Sequence, residues 1–211
     1  MQITVTTLRF GEVPYFDYSA KINRQYCERH GYRLHTIEVP AQIERHPIWF
    51  KVKGVWDLLR SADFVLFLDA DAYFIDHEKT IESLIQEHMG DAAFLAGNDR
   101  RDKEFVYSDE DANVGVYIIR NSPEGFGLLN DWWDSPLQYD TESFWRWPLE
   151  QLAFNMYIRR GRYSDRIKVI HYAHLNGRDG TFIRHLMRVS DEERLLTLRA
   201  AASNCEPTHR S

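Results

Sequence analysis

Apolar runs and helically spaced apolar positions alternate along the chain. Residues 1–8 (MQITVTTL) are rich in β-branched side chains and predict a buried strand. Residues 14–30 have helical character and stop at His30, Gly31 and Tyr32, after which residues 33–39 (RLHTIEV) alternate as a second strand. Over residues 49–60, Val52, Val55, Trp56 and Leu59 recur at helical spacing. Residues 62–68 then form an apolar run that suits the middle of a sheet. A helix over 80–88, strands over 92–97 and 115–120, helices over 123–133 and 148–159, and a strand over 167–171 lead into a helix-rich end; Pro148 opens the second of those helices. Such alternation predicts an α/β domain that opens like a Rossmann fold.

At 211 residues, with 44% hydrophobic and 14% aromatic content, the chain can bury a core of its own. The expectation is a single domain over residues 1–202, with 203–211 as a tail or the start of a linker. A formal charge of -6 argues against a nucleic-acid partner, whose phosphates call for clustered Lys and Arg. No apolar run approaches the ~20 residues of a membrane span, and no charged-then-apolar leader precedes the first strand. The chain is therefore expected to be soluble and cytoplasmic, and to be the catalytic domain of something longer. Cys27 and Cys205 lie too far apart for a metal knuckle and read as ordinary thiols. The charged loop over 98–112 is long enough to be a mobile lid.

The segment ADFVLFLDADAYFID carries the chemistry. Its apolar run ends on Asp69 and Asp71, whose side chains project the same way if the strand continues, and two carboxylates that close repel. A divalent cation resolves the conflict. Hard oxygen ligands at the carboxyl end of a parallel strand suit Mn²⁺ or Mg²⁺, and open α/β sheets bind ligands along that edge. The plainer alternative is a turn-capping Asp69 beside a solvated Asp71.

FVLFLDADAYF resembles the D-x-D segment of glycosyltransferases with the GT-A fold. Three other segments follow the order those enzymes use. WFK at Trp49–Lys51 is similar to the W-x-K segment of plant xyloglucan xylosyltransferases and related fungal transferases. NVGVYIIRNS from Asn113 resembles their N-x-G strand, and LEQLAFN from Leu149 resembles their D-Q segment, with Glu150 in place of Asp. HYAHLNGRDG, residues 171–180, partly matches the H-x-x-G-x-x-K segment of retaining galactosyltransferases. The compact form is also similar to glycosyltransferase domains encoded by large algal viruses.

The resemblance implies a mixed, mostly parallel central sheet flanked by helices and a metal-dependent transfer from a nucleotide-sugar donor, with a UDP-hexose favoured, to a glycan or glycoprotein acceptor. It implies retention of anomeric configuration. Asp69 and Asp71 would hold the metal, with His171 or His174 as third ligand according to how the last segment is aligned. Thr6, Thr7, Leu8, Lys51, Asp69, Ala70, Asn113, Gly177 and Arg178 would bind the donor, Lys51 and Arg178 at the diphosphate. Glu150 and Gln151 would stand at the anomeric carbon, either to stabilise positive charge or, in an inverting reaction, with Glu150 as general base. Phe10 or Tyr15 is placed to stack on the base, and Trp132, Trp133, Trp145 and Trp147 flank the acceptor side, where packing competes as an explanation.

Two rivals share the acidic pair. A haloacid-dehalogenase-like phosphohydrolase uses its first Asp as nucleophile and wants Thr or Val where Tyr73 stands. A non-catalytic nucleotide-sugar-binding module would have no need of Glu150 and Gln151.

Overall fold

The computed structural model describes residues 1–99, 111–138, 145 and 149–204. Most of the expected lid, the tail beyond 204, Trp147 and the opening proline of the 148–159 helix lie outside them.

The chain starts with strand β1 (Ile3–Arg9), helix α1 (Phe16–His30) and strand β2 (Arg33–Glu38). Gly31 ends α1 in the left-handed conformation, φ 73°, which a residue without Cβ adopts freely, and its N–H donates back to the Cys27 carbonyl. A 3₁₀ turn at Pro47–Trp49 leads into α2 (Phe50–Leu59), then β3 (Phe64–Leu68) and a short β4 (Ala72–Phe74). Helix α3 (Ile81–His88) is capped by Thr80, whose side chain accepts from the Ser83 N–H at 3.1 Å. Strands β5 (Phe94–Asn98) and β6 (Ala112–Arg120) precede α4 (Pro123–Gln138) and α5 (Leu149–Ala153). Strand β7 (Ile167–Ile170), strand β8 (Ile183–His185) and helix α6 (Asp191–Ser203) follow.

Six strands make the central sheet in the order β2-β1-β3-β6-β5-β7. Strand β6 runs antiparallel to both its neighbours, while the other pairings are parallel. Every residue of β3 is buried, as its unbroken apolar run requires of a strand covered on both faces. One core, with Trp49, Phe67, Phe94, Trp132 and Phe154, lies between the sheet and α2, α4 and α5. The other, with Tyr26, Leu66, Phe74, Met89 and Phe182, lies under α1 and α3. Each such side chain taken fully out of water contributes roughly 1.5–3 kcal/mol before entropy is counted. Buried Cys27 belongs to the second core.

Three elements depart from the sequence expectation for local reasons. Strand β6 begins at Ala112 and not at Gly115, because the Asn155 side chain bonds both the N–H and the C=O of Ala112, at 2.8 and 2.9 Å, and so extends the backbone. Helix α4 runs past Trp133 to Gln138 with Pro136 inside it; the Trp132 carbonyl, which Pro136 cannot serve, accepts instead from the Ser135 hydroxyl at 2.8 Å. The helix expected over 148–159 changes to π geometry at Phe154–Ile158. The β4–β8 ribbon was not expected from the sequence at all.

Candidate active site

The site is built where β3 stops. The Asp69 N–H donates to the Gly115 carbonyl on β6 at 2.7 Å, and the Ala72 N–H donates to the Asp69 carbonyl at 2.9 Å, so the chain turns tightly between the two carboxylates. Strand β4 then pairs antiparallel with β8, Ala72 opposite His185, and the Leu186 N–H donates to the Asp71 carbonyl at 3.1 Å. The ribbon thereby delivers His185: its Nε2 lies 3.2 Å from Asp71 Oδ1 and 3.7 Å from Asp69 Oδ2. One ligand atom from each of the three lies within 4.8 Å of the others.

Asn176 orients the imidazole. Its Nδ2 donates to the carbonyls of Asn113 and Val116, at 3.3 and 3.5 Å, which leaves its Oδ1 facing His185 Nδ1 at 3.1 Å. That carbonyl oxygen wants a proton on Nδ1, so Nε2 is the nitrogen turned toward the carboxylates, as a metal-ligating histidine requires. Burial alone would lower the pKa of His185, yet Asp71 and Asp69 outweigh it and raise it. Burial would likewise raise Asp71, but His185 and Arg194 hold it down, at about 2. Asp69 is raised by its burial against the pull of Lys51 and His185. The cluster attracts positive charge and offers two hard oxygens and a borderline nitrogen, a donor set that fits Mn²⁺ or Mg²⁺. Gly115 makes room for it: a Cβ there would fall 2.2 Å from His185 Cε1 and 2.6 Å from Asp69 Oδ2.

Lys51, 1% exposed, lies beneath the cluster on α2. Its Nζ donates to Glu150 Oε1 at 2.7 Å, to Asp69 Oδ1 at 3.4 Å and to the Val114 carbonyl at 3.3 Å. These three acceptors account for all three ammonium hydrogens. Glu150 sits in the first turn of α5, whose backbone is fixed by the Trp132 indole N–H donating to the Glu150 carbonyl at 2.9 Å. Its other oxygen, Oε2, is buried with no hydrogen-bond partner among the described residues.

Beside them Asp99 gathers three donors: Gln151 Nε2 at 3.2 Å, Asn113 Nδ2 at 3.5 Å and Arg188 at 3.3 Å. Gln151 Oε1 accepts from the Val114 N–H at 3.2 Å, which fixes which end of the amide faces Asp99. All these side chains line one cleft of about 330 Å³, together with Ile48, Met187 and Arg194.

The cleft unites Asp69, Asp71, Lys51, Asn113, Glu150 and Gln151 as the sequence reading grouped them. It does not include the two histidines that reading considered. His171 is exposed, its Nδ1 accepting from the Ala173 N–H at 3.3 Å. His174 packs its ring 4.8 Å from that of His88 at the end of α3. The histidine beside the carboxylates is His185, because β7 and the turn after it carry residues 171 and 174 past the sheet edge while the ribbon brings residue 185 back. Three residues after His185, where the glycine of an H-x-x-G-x-x-K segment would fall, Arg188 has φ 59°, the left-handed backbone usually left to glycine, while Asp191 stands where the lysine would.

Other expected donor contacts also lie apart. Arg178 is paired on the surface with Glu193 at 3.1 Å, and the Gly177 carbonyl accepts from the Gly180 N–H in a turn and from the His185 N–H across a bridge to β8. Thr6 donates to the His35 carbonyl at 3.1 Å, Leu8 is core, and Thr7 lines a separate cleft against α1. The Ala70 carbonyl accepts from Ser19 at 2.6 Å. Phe10 packs edge-on against His46, and burial, with Asp71 nearby, pushes the Tyr15 hydroxyl up to about 12. Trp132 is core and Trp133 carries Arg45 over its ring at 3.6 Å, whereas Trp145 is 55% exposed. Asp99, Asn176, His185, Arg188 and Arg194 were missed by sequence reasoning.

The ligand question has a direct check. Replacing His185 with alanine is expected to weaken Mn²⁺ binding by 10-fold or more, on the order seen when metal-site partners are lost. The corresponding changes at His171 and His174 should leave it unaltered. Titration of Mn²⁺ by paramagnetic resonance compares the three; an unchanged His185→Ala protein would remove it from the ligand set.

Residues 4–170 match the galactosyl transferase GMA12/MNN10 family. An uncharacterized alpha-1,2-galactosyltransferase of Schizosaccharomyces pombe is 25% identical over 153 residues, 59% of this chain and 40% of that protein. An alpha-1,2-galactosyltransferase of the same yeast is 26% identical over 156 residues, 60% of this chain and 41% of the relative. The matched stretch thus spans about 40% of the length of these relatives. Among solved structures, a glycosyltransferase involved in glycosylation of the PBCV-1 major capsid superposes with a TM-score of 0.74 at 18% identity, covering 95% of this chain and all of the other. The galactosyltransferase LgtC, in complex with donor and acceptor sugar analogs, gives 0.58 at 14% identity over 97% and 96% of the two chains. A Drosophila β1,4-galactosyltransferase 7, in complex with manganese, UDP-Gal and xylobiose, gives 0.55 at 14% identity over 92% and 74%. Among the described residues no helix is long and apolar enough to cross a membrane.

Proposed function

The chain belongs to the galactosyl transferase GMA12/MNN10 family and has the GT-A fold of glycosyltransferases, and on that premise we propose that it transfers a hexose from a UDP-sugar to a glycan or glycoprotein acceptor with retention of anomeric configuration. The observation that carries the reading is one cleft with two sides. Asp69, Asp71 and His185 converge on one, and the buried Oε2 of Glu150, without a hydrogen-bond partner among the described residues, stands on the other. A divalent cation held by those three residues supplies charge neutralisation for a departing diphosphate.

The remaining roles follow from where each side chain stands in the cleft. Lys51 spends its donors on Glu150, Asp69 and Val114, so it serves as a positioning residue and not as the diphosphate contact expected from the W-x-K resemblance. Arg188, at the cleft wall with its backbone in the left-handed region, takes the diphosphate role in place of Arg178. Asn113, Gln151 and Asp99 present amide and carboxylate groups suited to sugar hydroxyls. Glu150 Oε2, held through Lys51, stabilises the positive charge that grows at the anomeric carbon as the diphosphate leaves. Retention rests on the resemblance to retaining galactosyltransferases.

Calorimetry tests this reading. UDP is expected to bind with Mn²⁺ present and to bind far more weakly in EDTA, and Asp71→Asn is expected to remove the metal-dependent part. Equal UDP affinity with and without the cation would overturn the metal-dependent donor site.

A further inference from the structure

Helix α6 lies beyond the residues that match the family, yet it reaches into the cleft. Arg194 Nε donates to Asp71 Oδ2 at 2.8 Å and to the Leu186 carbonyl at 3.1 Å, and its NH1 donates to Asp191 Oδ1 at 2.9 Å. The guanidinium centre stands 5.7 Å from the Tyr15 ring centroid. Nothing about this arrangement needs a bound ligand. Helix α6 is seated by Leu198 and Ala202 in an apolar cluster with Ile22, Tyr73 and Leu186, and Ser190 caps its first turn by accepting from the Glu193 N–H. Arg194 is 19% exposed in its side chain and is gripped from three directions.

The consequence for Asp71 is specific. Its two oxygens are divided: Oδ2 belongs to Arg194, and Oδ1 faces His185 and the cleft. A carboxylate so divided presents Oδ1 to the cleft, while the guanidinium occupies one lone pair of Oδ2 and screens that oxygen from a cation. The guanidinium also brings a fixed positive charge to within one carboxylate of the metal position. A bare divalent cation is repelled by it, whereas a cation that arrives with a nucleoside diphosphate brings compensating negative charge.

Resting on the metal-dependent donor site described above, we propose that Arg194 is a positioning residue that limits Asp71 to single-oxygen ligation and discriminates against the bare cation, so that the site fills cooperatively with cation and nucleoside diphosphate together. This makes a helix outside the matched residues a determinant of how the two ligands depend on each other. By linkage the dependence is reciprocal: UDP tightens Mn²⁺ by the same factor as Mn²⁺ tightens UDP.

The test measures Mn²⁺ affinity by paramagnetic resonance, with and without UDP, in the full chain and in Arg194→Gln and Arg194→Lys, each first shown to melt cooperatively. Wild type is expected to bind Mn²⁺ at least about tenfold more tightly with UDP than alone. Arg194→Gln, which removes the charge, is expected to bind bare Mn²⁺ about tenfold more tightly than wild type, with the UDP-dependent gain reduced accordingly. Arg194→Lys keeps the charge and should stay near wild type with bare Mn²⁺. Unchanged or weaker bare-metal binding in Arg194→Gln, with the UDP dependence intact, would overturn the role of Arg194 while leaving the metal site standing. Failure of wild type and variants alike to bind Mn²⁺ even with UDP would remove both.

Discussion

Lys51→Met is expected to lower the unfolding free energy by about 3–5 kcal/mol, the cost of stripping one partner from a buried ion pair. The number comes from what the change leaves behind. Methionine fills much the same volume, and the Phe67 ring 5.2 Å from Nζ is a suitable neighbour for a thioether. Glu150, 6% exposed in its side chain, then keeps a charge with neither water nor a cation to answer it, while Asp69, at 25%, recovers part of its solvation. For a chain of this length the loss corresponds to a fall in melting temperature of roughly 6–20 °C. Adding Glu150→Gln should restore most of the loss, because the double variant buries no uncompensated charge. Thermal melts of the two single variants and the double decide the matter. A deficit not recovered by the second change would mean that the packing of α2, and not its charge, was lost.

Glu150→Gln by itself is expected to cut turnover by one to two powers of ten, about 1.4–2.7 kcal/mol of transition-state stabilisation, while UDP affinity in the presence of Mn²⁺ stays near wild type. The amide preserves the shape and still accepts from Lys51, which retains Asp69 and the Val114 carbonyl as well. What disappears is a negative charge whose buried Oε2 has no other protein partner among the described residues. Such a charge acts on a centre that becomes positive only as the diphosphate departs, so it should affect the rate and not the binding. Hydrolysis of donor without acceptor is a sufficient readout at saturating substrate. If Glu150 serves only as a favourable charge in the first turn of α5, turnover per folded molecule will match wild type and a lowered melting temperature will be the sole effect.

The layout of the sheet was legible because buried strands announce themselves. The run over Phe64–Leu68 is apolar because both faces of β3 are covered, and the D-x-D that follows sits at a strand end for the same reason. Strands β4 and β8 were not legible. Each has three residues, too few for a period, and each exists through pairing with a segment about a hundred residues away. His185 was lost with them, and the glycine that would have flagged it is replaced by Arg188, which adopts the glycine's backbone without its letter. The histidines at 171 and 174 matched the pattern as text and not as geometry. Lys51 could have been read better: with Val52, Val55 and Leu59 it completes the inward stripe of α2, and a lysine on such a stripe must be paired within the core.

The bond between Asp71 and Arg194 joins residues 123 positions apart. A ribosome adding roughly 5–20 residues per second therefore exposes the carboxylate pair some 6–25 s before it makes the arginine that will hold it. Lys51 precedes both aspartates and can neutralise one of them at once, while Asp71 must wait for His185 and then for α6. Vectorial synthesis thus makes the cleft residues in a fixed order, Lys51, the two aspartates, Glu150, His185 and last Arg194. A nascent chain halted between residues 185 and 194 would carry all three metal-facing side chains with no arginine to keep a bare cation from binding them.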